Sequence, residues 1–261
     1  MISLKNISVH FGAGTPAFRA ALKDVSLSIQ EGEFVTVIGS NGAGKSTLLN
    51  TVAGEVIPDS GHIWIDDEEV TQQGTNIRAK HVARVFQDPI AGTCSQLTIG
   101  ENLALAFCRG KKRLLTGALS PSSRAYFQSI LKPLNLGLEN RLDTSMAMLS
   151  GGQRQAVSLL MATLSPLKIL LLDEHTAALD PKTSRFVMDV TQRIIEEKGL
   201  TALMVTHSLS HALQYGTRTI MLHESQLIYD IKGEERKKLT PQDLMQQFGS
   251  SIDSDRLLLN T

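Results

Sequence analysis

Cysteine is scarce: Cys94 and Cys108 are the only two in 261 residues. Two thiols cannot build a disulfide framework or a cysteine-based zinc centre, so reduced thiols in a cytosolic protein are expected. An excess of charge is missing as well. Lys plus Arg number 26 and Asp plus Glu 26, which leaves no global basic footprint and excludes nucleic acid as an expected partner. Long apolar runs are absent. The stretch Ile169 to Leu172 is broken at once by Asp173 and Glu174, so no membrane span is expected. The opening MISLKNISVHF lacks the charged, apolar, small-residue order of a leader peptide. No internal repeat or low-complexity segment appears, and the length suits one large domain or two small ones.

The richest stretch present is GSNGAGKST, from Gly39 to Thr47, which fits G-x-x-x-x-G-K-[ST]. Phe34 to Ile38, before it, is a short apolar, β-branched run that reads as a buried strand. Ser46 to Ala53, after it, reads as a helix stopped by Gly54. Strand, loop and helix are the context a phosphate-binding loop requires. Gly39, Gly42 and Gly44 allow the loop to curl with its N–H groups inward, and the helix N-terminus adds partial positive charge. Lys45 is suited to β- and γ-phosphate contact and the Ser46 hydroxyl to Mg²⁺. The whole loop is therefore assigned to nucleotide binding: Gly39, Ser40, Asn41, Gly42, Ala43, Gly44, Lys45, Ser46 and Thr47.

In chain order, Ile2–Val9 and Leu22–Ile29 alternate apolar and polar residues, and Ile63–Ile65 is a further short strand. Together they predict an antiparallel sheet beside the nucleotide site. Val82–Phe86 is a strand ending in Gln87-Asp88-Pro89, and from there to about Leu164 the pattern is helical. The run Arg109-Gly110-Lys111-Lys112-Arg113 is a solvated loop or a contact with acidic lipid or a membrane partner. Ile169–Leu172, Thr201–Val205, Thr219–Leu222 and Gln226–Tyr229 read as strands, with a helix after the cap Asp180-Pro181. Strands alternating with helices predict a parallel sheet covered on both faces. Asp173 ends an apolar strand, where a carboxylate suits water-mediated contact with the Mg²⁺ held by Ser46. Glu174, the next residue, is a candidate to polarise an attacking water.

These motifs, with Leu149-Ser150-Gly151-Gly152-Gln153 and His207 in the same order, resemble the ATP-binding subunits of ABC transporters over nearly the whole chain. The resemblance implies an α/β P-loop NTPase fold. Its core sheet is mostly parallel, with an antiparallel β subdomain and an inserted α-helical subdomain. The ATP-binding domain is expected at 2–250, its insertion at about 88–164 and a tail at 251–261. ATP and Mg²⁺ are the implied cofactors. Glu174 and His207 become the catalytic pair, and Gln87 a nucleotide-site residue, a metal ligand with Ser46 and Asp173, and a hinge to the helical insertion. Phe11 becomes the ring stacked on adenine, although a phenylalanine near a strand end is often core. Ser150, Gly151, Gly152 and Gln153 form a second phosphate-binding helix N-terminus for the ATP of another copy, so two chains close around two nucleotides.

Two departures stand out. His175 follows the glutamate where the family commonly has proline, and Ala156-Val157-Ser158 replaces an arginine-containing run. The DEHTAALD loop resembles that of a bacterial group linked to uptake of amino acids or related molecules. The expectation is an importer ATPase, cytoplasmic and peripheral on the inner face of the cell membrane. Its implied partners are a second copy of itself, a membrane-spanning permease and an external solute-binding protein. A non-transport ABC ATPase, such as one serving iron–sulfur assembly, and the ATPase of an efflux or lipoprotein-release system remain as alternatives.

Overall fold

The structure is a computed structural model that describes residues 1–110 and 119–252. The N-terminal third holds β1 (Ile2–Phe11), β2 (Arg19–Ile29), β3 (Phe34–Ile38), α1 (Lys45–Ala53), β4 (Ser60–Ile65), β5 (Glu68–Glu69), α2 (Thr75–Arg78) and β6 (Val82–Val85). Then come α3 (Ile99–Phe107), α4 (Pro121–Leu131), α5 (Gly151–Ala162), β7 (Ile169–Asp173), α6 (Pro181–Lys198), β8 (Ala202–Val205) and α7 (Leu209–Gln214). The last part is β9 (Arg218–His223), β10 (Gln226–Lys232), α8 (Gly233–Lys238) and α9 (Pro241–Ile252).

The strands form two sheets. One is antiparallel, in the order β2-β1-β4-β5. The other has the order β10-β9-β3-β8-β7-β6, and its pairs are parallel except for the β9–β10 edge. Every residue of β3 and β8 is buried, as a strand covered on both faces requires. The period of two then assigns faces. Ile169, Leu171, Leu203 and Val205 pack with α1 residues Leu48, Leu49 and Val52 and with the antiparallel sheet. Leu170, Leu172, Ala202 and Met204 pack instead against the helical insertion through Leu103, Phe127, Val157 and Leu160. Helix α1 is thus clamped between two sheets, with its first turn at the carboxyl edge of the parallel strands.

Arg78 fastens the other end of α1. It is fully buried and donates to the carbonyls of Thr51 and Val52 in the last turn and of Val70 and Thr71 beside β5, at 2.5–3.0 Å. Burial pulls its pKa down to about 10.

Several boundaries differ from the sequence reading, each for a local reason. Helix α3 starts at Ile99, inside the stretch read only as helical, because Thr98 and Glu101 form a reciprocal capping box. The region 132–149 is mostly irregular, with three single 3₁₀ turns. Helix α8 was not anticipated: its polar sequence GEERKK shows no apolar stripe, but Arg236 is buried against Thr219 and the carbonyls of Ala212 and Tyr215. Arg109 is not a freely solvated loop residue: it is half-buried and donates to the Ser165 carbonyl at 3.2 Å. Lys111, Lys112 and Arg113, and the tail from 253, lie outside the described residues.

Candidate active site

The turn from β3 into α1 is built on glycines whose replacement would collide with backbone. Gly39 and Gly44 have φ of 148° and 103°. A Cβ on Gly39 would meet the Leu222 carbonyl oxygen at 2.2 Å, and one on Gly44 the Ala21 oxygen at 2.4 Å. The chain passes this closely only without side chains. The Lys45 ammonium folds back over the loop and donates to the carbonyls of Gly39 at 2.7 Å and Ser40 at 2.9 Å. The N-terminus of α1 has no side-chain cap and no acidic residue in its first turn. Its orphan N–H groups therefore look for an anion outside the chain. They border a cavity lined by Asn41, Gly42 and Gly44 to Thr47, with Arg19 across from the loop and Glu174 at one end.

Two more segments reach the same edge. Asp173 is the last residue of β7 and pairs in register with Val205 of β8. The Glu174 N–H donates to the Val205 carbonyl, and the Thr206 N–H to that of Val37, both at 3.1 Å. These bonds lock both strand ends to the loop's own strand. Glu174 takes a φ of +46°, a left-handed conformation that costs a non-glycine residue free energy. Its carboxylate is largely buried, and Oε1 lies 2.7 Å from His207 Nε2. Asp173 Oδ2 accepts from Arg84 Nη2 at 2.5 Å. The groups available to a cation, the Ser46 hydroxyl and the Asp173 carboxylate, are hard oxygen donors that suit Mg²⁺.

The structure therefore brings Asn41, Gly42, Gly44 to Thr47 and Glu174 around one cavity and places His207 on Glu174, whereas Gly39, Ser40 and Ala43 do not line it. Other assigned residues stand apart from it. Phe11 is half-buried at the edge of the core, and the Arg19 guanidinium lies over its ring, 5.7 Å from the centroid. Gln87 is exposed in the bend after β6. Ser150 caps α5 and forms a capping box with Gln153. The signature of Ser150, Gly151, Gly152 and Gln153 contributes nothing to the lining of the loop's cavity.

Sequence reasoning missed Arg19, Arg84, Asn50 and Glu55. Arg84 gave one signal, a lone charge inside the apolar strand Val82–Val85. His175, noted only as a departure, is buried beside the site. Its Nε2 is 3.0 Å from Thr191 Oγ1, whose single proton goes to the Val187 carbonyl at 2.8 Å. The imidazole must then donate through Nε2–H. Burial pushes its pKa down to about 3, with a further push from His211.

A glycine-built phosphate loop at the carboxyl edge of a parallel sheet, with a buried carboxylate closing its cavity, defines a P-loop ATPase. The second helix N-terminus, capped by Ser150 and set apart from that cavity, narrows the class. The chain belongs to the ABC transporter family, whose model matches residues 22–177. It is an ATP-binding, ATP-hydrolysing cassette that works with ATP and Mg²⁺. It is 45% identical over 252 residues to a tyrosine transport ATP-binding protein of Clostridioides difficile, covering 97% of this chain and all of that one. It is 34% identical to a phosphonates import ATP-binding protein of Lactococcus lactis, covering 91% and 96% of the two chains. Among solved structures it resembles a dimeric ATP-binding cassette in a post-hydrolysis state bound to ADP and phosphate. There the TM-score is 0.74 and the identity 34%, covering 89% of this chain and 98% of that one.

Proposed function

We propose that this chain energises the import of a small organic solute of the amino-acid class through a separate membrane permease. The observation that carries the mechanism is the division of the site. The phosphate loop and Glu174 share a cavity that the signature does not line, so a second copy must bring its own Ser150 and first turn of α5 to the nucleotide. The solute class rests on the full-length similarity to a tyrosine transport subunit.

Each residue then has a role. Lys45 and the N–H groups at the start of α1 hold the phosphates. Ser46, and Asp173 through water, would hold Mg²⁺, which would neutralise charge on the β- and γ-phosphates. Gln87 would contribute a further oxygen donor to that ion. Phe11 and Arg19 form the rim against which the base stacks. Glu174 accepts a proton from the attacking water, and His207 holds the carboxylate in line for it. Dimer closure on ATP and reopening after hydrolysis move the insertion, about 88–164, which docks on the permease with Gln87 as its hinge. Among the described residues no helix is long and apolar enough to cross a membrane, and in this reading the permease holds the chain at the inner face of the cell membrane. An external binding protein delivers the solute.

Two measurements test this reading. Glu174→Gln keeps the shape but cannot take a proton, so it should bind ATP, lose nearly all turnover and accumulate as a dimer in light scattering. Turnover near wild type removes Glu174 from the chemistry. With a co-purified permease in vesicles, wild-type hydrolysis should rise severalfold over the free chain, and Gln87→Ala should lose most of that rise while binding ATP normally. A free chain that is already fully active and takes up no membrane partner would sink the transport assignment.

A further inference from the structure

Arg84 stands in β6 between two buried apolar residues, yet its guanidinium reaches three polar groups on three segments. Nη1 donates to Asn50 Oδ1 on α1 and to Glu55 Oε2 just beyond it, both at 2.8 Å. Nη2 donates to Asp173 Oδ2 at 2.5 Å. Arg84 and Asp173 keep only 12% and 15% of their side-chain surface exposed, and Glu55 keeps 37%. The guanidinium also lies over the Phe86 ring, 4.9 Å from its centroid, one residue before Gln87. Its Nε is buried without a hydrogen-bond partner, so its position is set by the two carboxylates and Asn50 pulling on the fork. A carboxylate accepts from several directions, and Arg84 occupies one oxygen of Asp173 only.

We propose that Arg84 and Glu55 together set how much Mg²⁺ the nucleotide site requires, by tuning how far Asp173 is available to the ion. This rests on the assignment of Asp173 to the hydration shell of Mg²⁺. Arg84 competes with the cation for the Asp173 carboxylate and opposes it by charge. Glu55 draws the guanidinium toward itself and cancels that charge. With both present, Arg84 and Glu55 sum to zero and Asp173 keeps its single negative charge toward the ion. Without Arg84, the charges of Asp173 and Glu55 are both left uncompensated. Without Glu55, Arg84 neutralises Asp173. A unit charge about 7 Å from a divalent ion, at water-like dielectric, changes affinity roughly tenfold, and salt screening reduces that to about threefold.

A structural brace would behave differently. Arg84→Met and Glu55→Gln break the same ion pair, so a brace lost in either would shift metal dependence the same way. Competition for Asp173 shifts it in opposite directions. The test is the affinity of the full chain for a non-hydrolysable ATP analogue across a Mg²⁺ series at about 0.1 M salt, with thermal unfolding followed in parallel. Arg84→Met should reach half of its Mg²⁺-induced tightening at about threefold less Mg²⁺ than wild type. Glu55→Gln should need about threefold more, and 0.5 M salt should shrink both shifts. Affinity without Mg²⁺ should change little in either. If Arg84→Met folds poorly, the absence of a rise for Glu55→Gln still overturns the inference. Shifts in the same direction, or none in Glu55→Gln, overturn the inference alone. Asp173→Asn separates the two levels: unchanged Mg²⁺ dependence in that variant removes Asp173 from the metal site and overturns the inference with it.

Discussion

At the scale of single residues, the carboxylate proposed to act in catalysis sits at a strained point with a buried imidazole as its neighbour. Glu174 has positive φ, and His175 is tied through Thr191 to α6. Neutral His175 is part of the folded state, which gives acid sensitivity a definite sign. In the unfolded chain the ring takes a proton near pH 6.5, and in the folded chain only near about 3. The unfolded state therefore binds more protons in between, so the contribution is intact above about pH 6.5 and is lost as pH falls toward 3. Between pH 7 and pH 5 the loss is about 2 kcal/mol. His175→Gln keeps a donor for Thr191 without the titration. Denaturant unfolding at both pH values should show a drop smaller by about that amount in the variant. Equal drops in the two proteins would mean that other groups, such as half-buried His211, carry the acid response.

At the scale of elements, the two helix N-termini at the heart of the proposed mechanism are made differently. Helix α1 leaves its first turn uncapped, whereas α5 is closed by Ser150 and Gln153. The start of α5 lies so near the start of α6 that a Cβ on Gly152 would fall 2.1 Å from Thr183 Cγ2. Gly152→Ala should therefore cost about 2 kcal/mol and lower the melting temperature by roughly 4–8 °C. Adding Thr183→Ala should recover most of the loss, which calorimetry on the single and double variants can check. A Gly152→Ala protein melting with wild type would show that Thr183 simply rotates away. This constraint also explains what the sequence could and could not tell. Phe34–Ile38, Gly39–Thr47, Ile169–Glu174 and the cap Asp180-Pro181 were legible because each is specified within a few neighbouring residues. The Arg84–Asp173 pair spans 89 positions, and the reach of Arg19 over Phe11 depends on the pairing of β1 with β2. No local pattern encodes such pairs, because their partners meet only after the sheets assemble. The polar helix α8 escaped notice for the same reason, since the groups that bury Arg236 come from α7 and β9.

At the scale of the whole molecule, the proposed mechanism gives the phosphate loop and the capped end of α5 to different nucleotides, and that division has a genetic consequence. A chain disabled at Lys45 still offers a sound signature, and one disabled at Ser150 still offers a sound loop. Lys45→Ala and Ser150→Glu proteins should each be nearly inactive alone. When the two are mixed in equal amounts, random pairing makes about half of the dimers mixed, and each mixed dimer contains one intact composite site. Two dead proteins should thus regain about a quarter of wild-type hydrolysis on mixing. Lys45→Ala combined with Ser150→Glu in one chain should rescue neither partner's own defect nor itself. Allelic complementation of this kind makes the active unit a relationship between two copies, heritable in halves.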